Sequence, residues 1–197
     1  MRDPDQFDAF YRDARERLLA QTFALTGDLA ASRRAVRDAF VVAWHRWRKL
    51  SQHEDPESVV RPHAWKLAQH RHTARVWHRD KNISPDVKAT LDALGRLSAH
   101  QRRALVLTQL AAVSMPQMAR EVGVPLEVAE RELQHGSTQL SLALDVQTPA
   151  LRSRFDDVAA SVSGTVRWQR ATIVRRAGAA RRRTHTAVGV VGAVTAL

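Results

Sequence analysis

Basic and aromatic residues alternate in the middle of the chain, between Arg61 and Lys81. Six lysines and arginines stand there against one acid, Asp80. Cations neutralise phosphates and aromatic faces stack on unpaired bases, so this mixture is typical of a helix that holds an opened nucleic-acid strand. The alternative is a solvated helix face, with Trp65 and Trp77 packed in the core. The candidate nucleic-acid-binding residues are Arg61, His63, Trp65, Lys66, His70, Arg71, Arg75, Trp77, His78 and Arg79.

The histidines of this stretch lack the spacing of a metal site. His70, His72 and His78 are separated by two and six residues, so they do not share one helix face, and no carboxylate completes a set. The chain also contains no phosphate-binding loop and no recognisable nucleophile–base–acid motif. Cysteine is absent, which excludes disulfides, thiolate zinc sites and cysteine nucleophiles. We therefore expect no catalytic residues, no metal, no cofactor and no enzymatic activity.

Residues 113–125 have the pattern of a helix-turn-helix. A short helix is predicted to open at Ser114, with Pro116 in its first turn, where a missing N–H is harmless. Gly123 supplies the tight turn, and a second helix is predicted from Leu126 onward. The second helix of such a motif normally enters the major groove of DNA.

Three carboxylates make that second helix unusual, because negative charge repels phosphate. They are Glu127, Glu130 and Glu132. Acidic side chains can accept from cytosine amino groups, but they anchor DNA poorly without basic support. Two interpretations stay open: a DNA-reading helix, or a packing unit and protein-binding surface.

Helical periodicity dominates the chain, and no strand-period alternation lasts long enough to compete. We predict an all-α fold, with helices from Leu29 to Leu50 and from His63 to Lys81, separated by a loop over Ser51–Pro62. A further amphipathic helix is expected beyond Pro149. The predicted organisation is a first helical module over 1–81, a linker over 82–90, a helix-turn-helix module over 91–144, a basic helical extension over 145–186 and an apolar end over 187–197.

Positive charge is concentrated towards the end of this 197-residue chain. The formal net charge is +11, and residues 145–197 contain nine arginines against three aspartates. Such an excess favours polyanions or an anionic membrane surface as partners. The apolar run Ala187–Leu197 is shorter than the roughly 20 residues of a membrane span. Because Arg181–Arg183 precede it, as at the cytoplasmic flank of a span, we expect a cytoplasmic part of a longer protein, tethered to the inner face of the cell membrane. The alternative is a disordered basic tail.

Two blocks of the sequence resemble bacterial sigma factors of the extracytoplasmic-function group, of the actinobacterial kind. The first block comprises Phe7–Tyr11, Leu25–Asp28 and Val36–Trp44, and it is similar to the domain that binds the polymerase clamp and melts promoter DNA. The second, Leu97–Leu144, is similar to the domain whose helix-turn-helix reads the upstream promoter element. The resemblance covers about residues 5–144. It implies three partners: core RNA polymerase, promoter DNA and an anti-sigma protein.

The resemblance also implies which residues meet each partner. In the second module, Gln117, Arg131, Gln134 and His135 would contact DNA. The residues that would face polymerase are Arg33, Arg34, Arg37, Asp38, His45 and Arg48.

The sequence departs from the family at both surfaces. Arg33 and Arg34 stand where the family has an acidic pair, and like charges across a contact repel. Glu130 and Glu132 replace polar or basic DNA-reading residues. We therefore keep a second hypothesis: a repurposed sigma fold that acts as a membrane-tethered interaction or signalling module without promoter recognition.

Overall fold

The computed structural model describes residues 3–73 and 83–180, without the side chains of residues 71–73. Over this part of the chain the fold is all-α, as predicted, and it contains no strand. The helices are α1 (Pro4–Thr26), α2 (Leu29–His45), α3 (Trp47–Leu50), α4 (Pro56–Thr73), α5 (Pro85–Arg96), α6 (Ala99–Gln109), α7 (Met115–Val122), α8 (Leu126–Leu144) and α9 (Leu151–Val162). A 3₁₀ turn over Thr148–Ala150 precedes α9, and the helix over 171–180 is named α10.

The predicted break between the first two helices is confirmed, and local chemistry explains it. Gly27 adopts a left-handed backbone (φ 65°) that ends α1, and its N–H donates to the Phe23 carbonyl. Asp28 then caps α2 by accepting from the Ala31 N–H at 2.8 Å.

Two predicted boundaries in the first module were wrong. The helix predicted over Leu29–Leu50 is interrupted at Arg46, which separates α2 from α3. The loop predicted over Ser51–Pro62 is helical from Pro56, because the Asp55 carboxylate accepts from the Glu57 N–H at 3.0 Å and starts α4. Pro62 lies inside α4, where burial of Val60 and Ala64 offsets the missing N–H.

An aromatic core fills the first module. The Phe7 ring lies 5.0 Å from Trp44 and 5.2 Å from Trp47, both edge-on. Tyr11 meets Phe40 edge-on at 4.9 Å. All five rings are buried, so Trp44 and Trp47 are mainly core residues.

The helix-turn-helix is confirmed over α7 and α8. Ser114 caps α7, and Gly123 (φ 86°) forms the turn before α8. Within the predicted linker over 82–90, helix α5 begins at Pro85. Ser84 caps α5, and Val87 is buried.

A second hydrophobic core, which we call the shared core, takes residues from both modules. Leu19 and Phe23 of α1 and Trp65 of α4 pack into the same core as Leu105 of α6 and Phe155 of α9. Helix α9 lies against both α1 and α5. The second half of α1 therefore forms part of the second module's core, and this arrangement positions the candidate sites.

Candidate functional site

A buried polar contact joins α4 to the first helix of the helix-turn-helix. Arg61 is only 2% exposed. Its Nη1 donates to Glu121 Oε1 on α7, and its Nη2 donates to Glu57 Oε1 at 3.4 Å. Gln117 Nε2 donates to Asp55 Oδ2 at 3.0 Å and to Glu121 Oε1 at 3.2 Å. We call these five residues the α4–α7 seam.

The seam extends to α1 through Glu57. Glu57 Oε2 accepts from Arg17 Nε and Nη2 at 3.1 and 2.8 Å, and Oε1 accepts from Gln21 at 3.3 Å. Arg17 also donates to the exposed carboxylate of Asp13, which lowers the pKa of Asp13. These two carboxylates in turn raise the pKa of Arg17. A continuous set of charge-assisted hydrogen bonds thus links three helices.

The predicted DNA-binding residues of α4 fall into three groups. Arg61 is engaged in the seam, and Trp65 is buried in the shared core at 5% exposure. Lys66 and His70 are exposed, whereas His63 is half-buried. The third group comprises the Arg71 side chain together with Arg75, Trp77, His78 and Arg79, which lie outside the described residues.

Helix α8 presents its predicted DNA-binding residues differently. Arg131, Gln134 and His135 are all exposed, as are the acids Glu127 and Glu130. On the opposite side, Gly136 packs closely on α6. A Cβ at this position would lie 3.1 Å from Gln101 Cβ and 3.2 Å from Leu105 Cδ1. Gly136 therefore allows α6 and α8 to approach, a reason that the sequence did not reveal.

The predicted polymerase-facing residues lie along α2 and α3. Arg33, Arg34, Arg37 and Arg48 are exposed. Arg37 forms an ion pair with Asp38 at 2.8 Å. His45 and Asp38 are half-buried. Arg37, Val41 and His45 are spaced four residues apart and so occupy one stripe of α2.

The sequence predicted a basic helical extension over 145–186 but not the packing of residues 167–180, which we call the C-terminal segment. It lies across α1 and α2 and does not extend away from the fold. Gly178 packs so closely on α2 that an added Cβ would lie 2.7 Å from the Val41 carbonyl oxygen and 2.9 Å from Trp44 Cδ1. Val174 is completely buried in the aromatic core. The available signal in the sequence was the spacing of Val174 and Gly178, which lie four positions apart and so share one helix face.

Polar contacts fix the C-terminal segment on α1. Arg175 forms an ion pair with Asp8 at 3.0 Å, and its guanidinium lies 5.5 Å from the Trp44 ring centroid. The Tyr11 hydroxyl donates to the Gln169 carbonyl at 3.0 Å, and burial raises the pKa of Tyr11. Trp168 Nε1 donates to Glu16.

Neither a metal site nor a membrane-spanning helix is found in the part of the chain that the structure describes. There, no group of three or more histidine, aspartate or glutamate side chains is placed to hold a metal ion. Among the described helices, none is both long enough and apolar enough to cross a membrane.

Comparison with known proteins places this geometry in a structural context. No family model and no curated protein matches the sequence. One similar solved structure is the sigma factor RpoE in complex with the anti-sigma factor NepR from Bartonella quintana. Its TM-score is 0.58 at 18% identity, over 71% of this chain and 98% of that chain. Another is CnrH in complex with the cytosolic domain of CnrY, with a TM-score of 0.58 at 19% identity, over 73% of this chain and 90% of that chain. The chain therefore has a fold like that of these two structures.

Proposed function

We propose that this chain is a sigma-factor-like transcription initiation protein that binds core RNA polymerase and promoter DNA. The observation that supports this most strongly is the extent of the structural likeness, which spans 98% and 90% of the two similar chains. Both of those structures are complexes, one with a named anti-sigma factor. An anti-sigma protein is accordingly proposed as a third partner.

Polymerase and promoter DNA are each assigned to a described surface. The exposed arginines of α2 and α3, among them Arg37 and Arg48, would face polymerase. Promoter DNA would meet α4 and the exposed side of α8. The polymerase would perform the chemistry, and this chain would supply recognition and strand opening.

The α4–α7 seam adds a condition to this function. Arg61 and Gln117 are hydrogen-bonded to carboxylates in the seam, so their donors are not presented to phosphate or base edges. Engagement of DNA by either residue would require α7 to separate from α4. We infer that the described arrangement is a closed form and that promoter binding follows its opening.

The test is capture of purified core RNA polymerase by the full-length chain, followed by transcription in vitro. Arg37→Glu with Arg48→Glu should abolish capture, because reversing exposed charge at an interface opposes association. Lys88→Glu, an exposed charge reversal on α5, is the matched control and should still capture polymerase. Equal capture by both variants would contradict the assignment of α2, and the proposed function would be contradicted if no form of the chain captured polymerase.

A second candidate function is the repurposed sigma fold without promoter recognition. Two observations favour it: Arg33 and Arg34 are exposed on α2, and Glu127 and Glu130 are exposed on α8. Capture of polymerase without initiation at any promoter would support this function. Initiation from a selected promoter would exclude it.

The anionic membrane remains a separate proposed partner of the arginine-rich end, whose residues 181–197 lie outside the described residues. Salt-dependent binding to vesicles containing phosphatidylserine would support it. Vesicle binding that persists after Arg181, Arg182 and Arg183 are changed to Gln would contradict it.

A further inference from the structure

We propose that the C-terminal segment (167–180) is a built-in inhibitory element that occupies part of the polymerase-facing surface of α2. This inference rests on the proposed function. It extends that function by assigning the inhibitory role to a part of the chain itself. The argument depends on where the segment lies, how tightly it fits and which residues it covers.

The position of the segment follows from Gly178. Its closest neighbours are the Val41 carbonyl and the Trp44 side chain, both on α2. Val41 lies one turn after Arg37 and one turn before His45, two residues assigned to the polymerase face. Helix α10 is therefore packed onto the middle of the stripe that polymerase would approach.

The fit is close enough to exclude another helix from the same place. Val174 is fully buried and Gly178 leaves no room for a methyl group, so α10 and α2 are in direct backbone-to-side-chain contact. A partner cannot contact Val41 and Trp44 from this side while α10 remains there. Binding to the covered stripe thus requires displacement of the segment.

The contact between the C-terminal segment and α1 is specific, because three polar groups of the segment each have a defined partner on α1. Arg175 pairs with Asp8, Trp168 donates to Glu16, and the Tyr11 hydroxyl donates to the Gln169 carbonyl. These anchors also offset repulsion between a basic segment and a basic α2 face. Without Asp8 and Glu16, the arginines of the two elements would oppose the contact.

An equilibrium between covered and uncovered forms follows. If polymerase binds only the uncovered form, its apparent affinity is reduced by the fraction of molecules in that form. Releasing the segment should therefore increase the affinity without any change in the polymerase-binding residues. The effector that releases the segment in the cell would act by binding the uncovered form or the free segment.

The experiment compares full-length variants that differ only in how well α10 fits. Gly178→Leu places a side chain against Val41 and Trp44, and Arg175→Glu places a carboxylate beside Asp8. Ala177→Leu places a leucine at an exposed position of α10 and is the matched control. Hydrogen exchange of the 167–180 amides reports release of the segment. Exchange over α5–α8 reports that the rest of the fold is intact.

In Gly178→Leu and in Arg175→Glu, which we call the opened variants, we expect faster hydrogen exchange over 167–180. Both should also bind core polymerase at least about tenfold more tightly than the wild type does. The Ala177→Leu control should match the wild type in both measurements. Unchanged protection over 167–180 in both variants would overturn the claimed fit. If the segment is released but the variants bind polymerase with the affinity of the wild type, the claim that the segment inhibits binding is overturned. The proposed function would then still stand. If neither the wild type nor the opened variants bind polymerase, the proposed function fails and this inference fails with it.

Discussion

Helices α4 and α8 both have sequences that predict contact with DNA, yet two of the α4 candidates are buried whereas those of α8 are exposed. On α4, Arg61 is buried among carboxylates and Trp65 lies in the shared core. On α8, Arg131 and His135 are exposed despite the acids around them. The basic helix is thus partly closed off by the other module, while the acidic helix is open. Residue type predicts which groups can bind DNA, but the packing of the modules decides which groups are available.

The largest expected difference between these helices is in stability. Arg61→Ala would leave Glu57 and Glu121 without their shared buried cation, which should lower the free energy of unfolding by about 3–5 kcal/mol. Arg131→Ala on the exposed side of α8 should change it by less than about 0.5 kcal/mol. Urea denaturation at neutral pH measures both. Equal effects would show that Arg61 is not a buried ion-pair residue in solution.

A smaller effect is expected at the hidden side of α8. Gly136→Ala should be destabilising by about 1 kcal/mol, because the new methyl meets Gln101 and Leu105 and α6 must shift. Gly95→Ala in α5 is the control, since nothing lies within 4 Å of its added Cβ. It should stabilise by about 0.5–1 kcal/mol through helix propensity. Stabilisation by both substitutions in thermal or urea unfolding would contradict the close α6–α8 packing.

The smallest expected effect concerns the exposed ion pair between Arg17 and Asp13 on α1, where the hydrogen bonds that extend from the α4–α7 seam end. Asp13→Asn removes an i,i+4 ion pair with Arg17 that is open to solvent, so the loss at neutral pH should stay below about 0.5 kcal/mol. The pKa of Asp13 is lowered in the folded state, so its contribution is present above the unfolded-state pKa and is lost as the pH falls through the folded-state value.

Urea unfolding of the wild type and Asp13→Asn over a pH series checks this. The free energies of unfolding of the two proteins should become equal at acid pH. If their difference instead grows as the pH falls, this ion pair does not stabilise the fold in the way described.

The fold could be predicted from sequence wherever local signals agreed. The cap and turn residues around Gly27 and Gly123 specified helix ends, and apolar spacing specified the helix-turn-helix. The start of α4 was missed because Pro62 suggested a loop, whereas the Asp55 cap and tertiary burial override it.

The site was less predictable, because its key contacts join residues far apart in the sequence. Arg61 and Glu121 are separated by 60 positions, and Arg175 and Asp8 by 167. No local pattern distinguishes an arginine that pairs with a distant glutamate from one that meets phosphate. The resemblance indicated the two modules, but it did not indicate that α1 would lie in both cores or that the C-terminal segment would cover α2.

The central claim is that α4 and α7 are held together in a closed form, and a distance across the α4–α7 seam tests it most directly. The chain has no cysteine, so Glu54→Cys and Arg120→Cys introduce one spin label on each side, both at exposed positions beside seam residues. Pulsed electron paramagnetic resonance should give one narrow distribution of distances between the two labels, centred at a short distance. When Arg61→Ala is added, the distribution should broaden and its mean distance should increase. A broad distribution in the protein with Arg61 intact would contradict the closed arrangement.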